Sequence, residues 1–98
     1  MVERVEIAHV GGDRFRVSVT LRHADEGWEH YADRWIVTDG SGAVLGKRVL
    51  LHPHVAEQPF TRSATVVTPD GVSRIRIVAR DSRHGDSAPS APFAVPGR

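Results

Sequence analysis

Hydrophobic and polar positions alternate along most of the chain in short runs, and each run ends in Gly, Pro, Asp or Ser. That period of two is the signature of half-buried strands, since successive side chains of a strand point to opposite faces. The clearest run is residues 14–23. Phe15, Val17, Val19 and Leu21 alternate with Arg14, Arg16, Ser18 and Thr20, so the apolar set predicts the core face. A second clear run is residues 72–81, with Ile75, Ile77 and Ala79 facing inward and Arg74, Arg76 and Arg80 outward. Residues 2–10, 31–39, 43–51 and 61–67 complete the main strands, and residues 92–96 predict a short last one that its prolines confine to an edge. In 31–39 one face collects Tyr31, Asp33, Trp35 and Val37; in 43–51 apolar residues occur on both faces, so the inner side stays open. Gly11-Gly12-Asp13, Asp39-Gly40-Ser41-Gly42 and Pro69-Asp70-Gly71 read as tight turns. Residues 25–33 have room for one helical turn. Seven short strands predict an all-β, seven-stranded immunoglobulin-like β-sandwich formed by residues 1–98 as a single domain.

Strand direction then gathers chemistry at one end. With residues 14–23 taken as running up, the three tight turns fall at the lower pole. The longer connections, 24–30, 52–60 and 82–92, fall at the upper pole. The upper pole therefore receives His23, His30, His52, His54, Asp81 and His84, while His9 falls at the lower one. Function in such folds tends to sit on the longer loops. His52-Pro53-His54 places two imidazoles at i and i+2, on one side of an extended segment and able to grip one metal; the alternative is a turn cap and a solvated ring. Asp81 continues the inward register of its strand, where a lone carboxylate is costly to bury. It reads either as a ligand or orienter of a ligating imidazole, or as a partner of Arg62, Arg83 or loop amides.

Composition narrows the field. The 98 residues suffice for one modest core, and there is no cysteine. Disulfides, thiolate metal sites and cysteine nucleophiles are thereby excluded. Thirteen Lys and Arg against twelve Asp and Glu leave a net charge of +1, which does not point to nucleic acid. No signal-like or membrane-length apolar run occurs, so the reading is a cytoplasmic protein without a membrane or nucleic-acid partner. The outward row of Arg74, Arg76 and Arg80 beside Arg34 reads as a solvated sheet face or as an attractor of an acidic partner. Trp35 reads as core, Tyr31 as core-edge or a donor at the pole, and Trp28 as a core lid or the exposed anchor for a protein partner at the His-rich pole. No Ser–His–Asp order, phosphate loop or dinucleotide fingerprint is present, so enzyme activity stays open.

The stretch His23-Ala24-Asp25-Glu26-Gly27-Trp28-Glu29-His30-Tyr31-Ala32-Asp33-Arg34-Trp35-Ile36, with Asp81-Ser82-Arg83-His84-Gly85, resembles the iron-site region of superoxide reductases (desulfoferrodoxins). Those carry Glu-His-Tyr-Ile-x-Trp-Ile and end with Cys-x-x-His-Gly. The likeness spans roughly residues 2–85 and extends to the sulfur-oxidation carrier subunit of the same sandwich type. The chain also resembles a group of small bacterial single-domain proteins with His-Pro-His, Glu-x-Pro-Phe-Thr-Arg and Asp-Ser-x-His-Gly stretches, here 52–54, 57–62 and 81–85. The resemblance implies a metal site with His23, His30 and His84 at ligand positions. Asp81 stands where the iron-binding cysteine would be. The family's first histidine ligand has no counterpart, Glu3 being nearest by position, and His52 or His54 would fill the set. An oxygen donor does not push electron density onto a metal as a thiolate does. The implied site is thus a nitrogen/oxygen centre for a transition metal (iron, zinc, copper or nickel) without superoxide reductase activity of its own. The competing reading is a non-catalytic protein-interaction module that binds no metal.

Overall fold

The computed structural model describes residues 2–23, 27, 30–51, 54 and 58–97. The chain folds as two antiparallel sheets around one core, and the described residues contain no helix. The strands are β1 (Val2–Gly11), β2 (Arg14–Leu21), β3 (Ala32–Thr38), β4 (Val44–Val49), β5 (Phe60–Val67), β6 (Arg74–Asp81), β7 (Gly85–Asp86) and β8 (Phe93–Ala94). One sheet has the order β1-β2-β5. The other has the order β4-β3-β6, with β7 and β8 pairing to opposite ends of β6. No helix here is long and apolar enough to cross a membrane.

The alternation in the sequence becomes the core. Phe15, Val17, Val19 and Leu21 of β2 are fully buried, as are Ile77 and Ala79 of β6, and Trp35 and Val37 of β3. All of these except Phe15 belong to one apolar cluster fed by both sheets, together with Phe60, Val66 and Leu50. The ambiguous fourth strand resolves through its register. Trp35 pairs with Arg48 and Val37 with Gly46, so Gly46 and Arg48 lie on the inner side. Arg48 spans the gap between the sheets and donates to the Ser63 carbonyl at 3.3 Å. Gly46 is required by proximity: a Cβ there would sit 3.0 Å from a Val66 methyl.

Eight strands form where seven were expected. The difference lies after Asp81. Residues 82–84 turn sharply and Gly85, at φ +79°, reverses the chain so that β7 pairs back on β6. A positive φ of that size favours glycine over any residue with a Cβ. The segment then follows the β6 edge without forming a continuous strand, because Pro89 and Pro92 have no N–H to donate. Ser87 and Ser90 carry the pairing: their amides donate to the Ala79 and Ile77 carbonyls, and their hydroxyls accept from the Ala79 and Ile77 amides. The expected strand at 92–96 contracts to Phe93–Ala94. Of the expected helical turn at 25–33, residues 25, 26, 28 and 29 lie outside the described residues, while Ala32 and Asp33 belong to β3.

Candidate metal centre

Three strand ends meet at the pole with the longer connections. β2 runs out at Leu21 and delivers His23. β3 begins just after His30. β6 ends on Asp81, and the turn that follows carries His84. His9 lies at the other end, where Nε2 donates to the Gly12 carbonyl at 2.9 Å beside the β1–β2 turn.

Asp81 is the centre of the cluster. Its residue is only 5% exposed. Oδ2 accepts from His23 Nε2 at 2.8 Å, His30 Nε2 at 2.9 Å and His84 Nδ1 at 3.1 Å. Oδ1 accepts from the backbone amides of Arg83 at 2.7 Å and His84 at 3.0 Å. An ionised carboxylate only accepts, so each imidazole must present an N–H to it. Burial by itself raises the pKa of Asp81. The His84 ring, the His84 and Arg83 amides and the His23 ring outweigh it and hold the carboxyl well below the usual carboxylate range.

The imidazoles form a stack of edges. His23 and His30 have ring centres 5.0 Å apart at 86°, and His30 and His84 are 5.1 Å apart at 80°. The His23 and His30 side chains are 10% and 14% exposed, while His84 is 68% exposed and forms the open side. Two further side chains hold the backbone under these rings. Gln58 accepts from the His23 amide at 3.0 Å and donates to the His54 carbonyl at 2.7 Å. Ser82 accepts from the Tyr31 amide through its hydroxyl at 3.0 Å, and its own amide donates to the Tyr31 carbonyl at 2.8 Å.

Of the candidates named from the sequence, the structure brings together His23, His30, Asp81 and His84. His54 is held elsewhere. It is buried and stacks on Phe60 with ring centres 3.8 Å apart, and Arg62 donates to its Nε2 at 3.2 Å. That bond takes up the Nε2 lone pair, while Gln58 links the His54 carbonyl to the His23 amide. His52 and Trp28 lie outside the described residues. Of the partners weighed for Asp81, the loop amides and the imidazoles both apply, while Arg62 turns to His54 and the Thr61 carbonyl.

The donor set passes a simple test of fit. His23, His30 and Asp81 each offer one ligand atom, and these atoms lie within 4.8 Å of one another. The 2.8–3.1 Å from each imidazole nitrogen to Oδ2 is the spacing of two ligands at roughly 90° around an ion with bonds of about 2.1 Å. It is also the spacing of a hydrogen bond, so the same atoms serve with a proton or with a metal between them.

No family model matches the chain, and no solved structure matches it. A protein of Halomicrobium mukohataei, provisionally named a lipoprotein, is 42% identical over 81 residues, which cover 83% of this chain and 40% of that protein. The chain thus spans less than half the length of that relative.

Proposed function

We propose that the chain is a small metal-binding domain in which His23, His30 and Asp81, joined by the exposed His84, hold one transition ion. The observation that carries the reading is the convergence of three imidazole nitrogens on one buried carboxylate oxygen. A nitrogen/oxygen set of this kind suits Fe(II), Zn(II), Cu(II) or Ni(II), and the ion would supply Lewis acidity or redox chemistry at a solvent-facing position. Support for a likeness to the superoxide reductase site comes from the ligand spacing, with His30 in Glu-His-Tyr and His84 in Asp-Ser-x-His-Gly. The sheet orders β1-β2-β5 and β4-β3-β6 support an immunoglobulin-like sandwich of the kind that family uses. The relative's name favours an exported, lipid-anchored setting over the cytoplasmic one that the sequence suggested.

One observation favours a second reading. Five donors already satisfy both oxygens of Asp81, so the cluster is complete as a hydrogen-bonded knot. It would then shape a protein-binding pole, with Trp28 as its anchor. Elemental analysis of untagged protein, with melting measured with and without chelator, separates the two. An ion at 100 times its dissociation constant stabilises by about 2.7 kcal/mol. In a domain of this size that is a shift on the order of 10 °C. His30→Ala should abolish the shift and His9→Ala should keep it. Substoichiometric metal with no chelator effect would leave the knot.

A further inference from the structure

The metal reading leaves one large surface unused, the outer face of the β4-β3-β6 sheet. Its composition follows from the register. Trp35, Val37, Ile77 and Ala79 point into the core, so the residues between them point out. Three cross-strand rows result. Val49, Arg34 and Arg80 form the first; Lys47, Ile36 and Val78 the second; Val44, Thr38 and Arg76 the third. Arg74 continues the β6 side of the face.

Two properties of this face point to a partner. The first is charge. Five cations, Arg34, Lys47, Arg74, Arg76 and Arg80, share the face with two carboxylates. Asp86 pairs with Arg34 at 3.3 Å and Asp33 pairs with Arg80. Arg76 donates to the Ser90 carbonyl. Lys47 and Arg74 are exposed and have no carboxylate among the described residues. Moreover, Arg34 lies directly opposite Arg80. Like charges in that position destabilise a sheet, and here each arginine has a carboxylate partner of its own, Asp86 for Arg34 and Asp33 for Arg80. The second property is the apolar centre. Half-buried Ile36 sits within the ring of cations, Val78 beside it is only 9% exposed, and Val44, Val49 and Leu51 are 60%, 49% and 76% exposed along β4 and just beyond it. β4 is also the edge of its sheet.

We infer that this face docks an acidic protein surface whose carboxylates surround a small apolar centre. The cations give attraction and orientation, and the aliphatic strip gives buried area. A nucleic acid fits less well, because among the described residues the face has no aromatic ring on which a base could stack. A second copy of the chain would set the five cations against themselves. The docking face is independent of the His–Asp cluster and stands or falls without it.

Along β6 the outward positions read Arg, Arg, Val, Arg at intervals of two. The extended peptide Glu-Ser-Glu-Ser-Val-Ser-Glu repeats that pattern with opposite charge on one face. It serves as the probe, with a counterpart carrying Gln for every Glu. Titration into ¹⁵N-labelled protein, in chelator and low salt, should shift the amides of Arg34, Ile36, Lys47, Val49 and Arg74. The Gln peptide should bind at least about tenfold more weakly, and Lys47→Glu with Arg74→Glu should weaken the Glu peptide to a similar extent while leaving the melting temperature unchanged. Equal binding of both peptides, equal binding by the double variant, or shifts confined to the other sheet would overturn the inference. Tighter binding of oligothymidylate or of phosphatidylglycerol vesicles than of the Glu peptide would also overturn it, in favour of that ligand.

Discussion

Replacing Asp81 by Asn tests the cluster at its centre. The two side chains are the same size, so packing is kept. Asn, however, offers one acceptor oxygen where Asp offers two, and it carries no charge. If that oxygen stays on the Arg83 and His84 amides, the NH₂ group meets the His23, His30 and His84 rings. Its two hydrogens can satisfy two rings after a change of tautomer, and the third ring keeps none. If the side chain flips, both amides lose their acceptor. Hydrogen bonds to a charged group contribute about 1.5–3 kcal/mol each, and a buried donor left unpaired costs about 1–3 kcal/mol. The expected loss is therefore about 3–5 kcal/mol, in line with the effect of breaking a buried pair. For a chain of this length that lowers the melting point by roughly 12–25 °C, read by circular dichroism at pH 7.5 in chelator. The pH dependence has a definite sign. The folded-state pKa of Asp81 is depressed, so its contribution is complete above the unfolded value of about 3.9 and is lost as pH falls below it. The gap between wild type and Asp81→Asn should hold from pH 7.5 to about 5 and narrow in acid. A melting point within about 2 °C of wild type at pH 7.5 would refute the account.

Other outcomes follow from the same geometry. Gly46→Ala should lower stability by about 1–3 kcal/mol, measured by urea unfolding, because its Cβ meets buried Val66 at 3.0 Å. Gln58→Ala removes the acceptor of the His23 amide and the donor to the His54 carbonyl and should weaken metal affinity by about 10–100-fold in a chelator competition, with Gln58→Glu restoring part of the His23 contact. His84→Ala should remove one donor from the exposed side, so that Co(II) spectra change while folding is retained. Arg62→Ala should leave metal binding intact, since Arg62 touches His54 and not Asp81.

The parts of the fold written in one-dimensional periodicity were legible. β2 and β6 bury the residues their alternation selects, and Asp81 keeps the inward register of its strand to the last position. The convergence of His23, His30 and His84 followed from strand direction alone. For His54 the sequence does not say which neighbour holds the ring; Phe60 and Arg62, both on β5, contact it. β4 stayed ambiguous because its inner positions are Gly46 and Arg48, one without a side chain and one charged, so no apolar alternation marks them. The division of the last strand depends on Ser87 and Ser90 bonding β6 through both amide and hydroxyl beside prolines that cannot donate, a contact that only the β6 partner reveals.

The bond between His23 and Asp81 joins residues 58 positions apart and ties the end of β2 in one sheet to the end of β6 in the other. The His23 and His30 contacts cannot form from a local hairpin; only the bonds from Arg83 and His84 to Asp81 lie within the turn after β6. Folding rates fall as contacts become more distant in sequence, and a sandwich of this kind belongs to the millisecond-to-second range. The cluster should therefore assemble only when the two sheets close. A spectroscopic signal from its imidazoles would report the final step of folding, and an unfolded or half-paired chain would present no preassembled site at all.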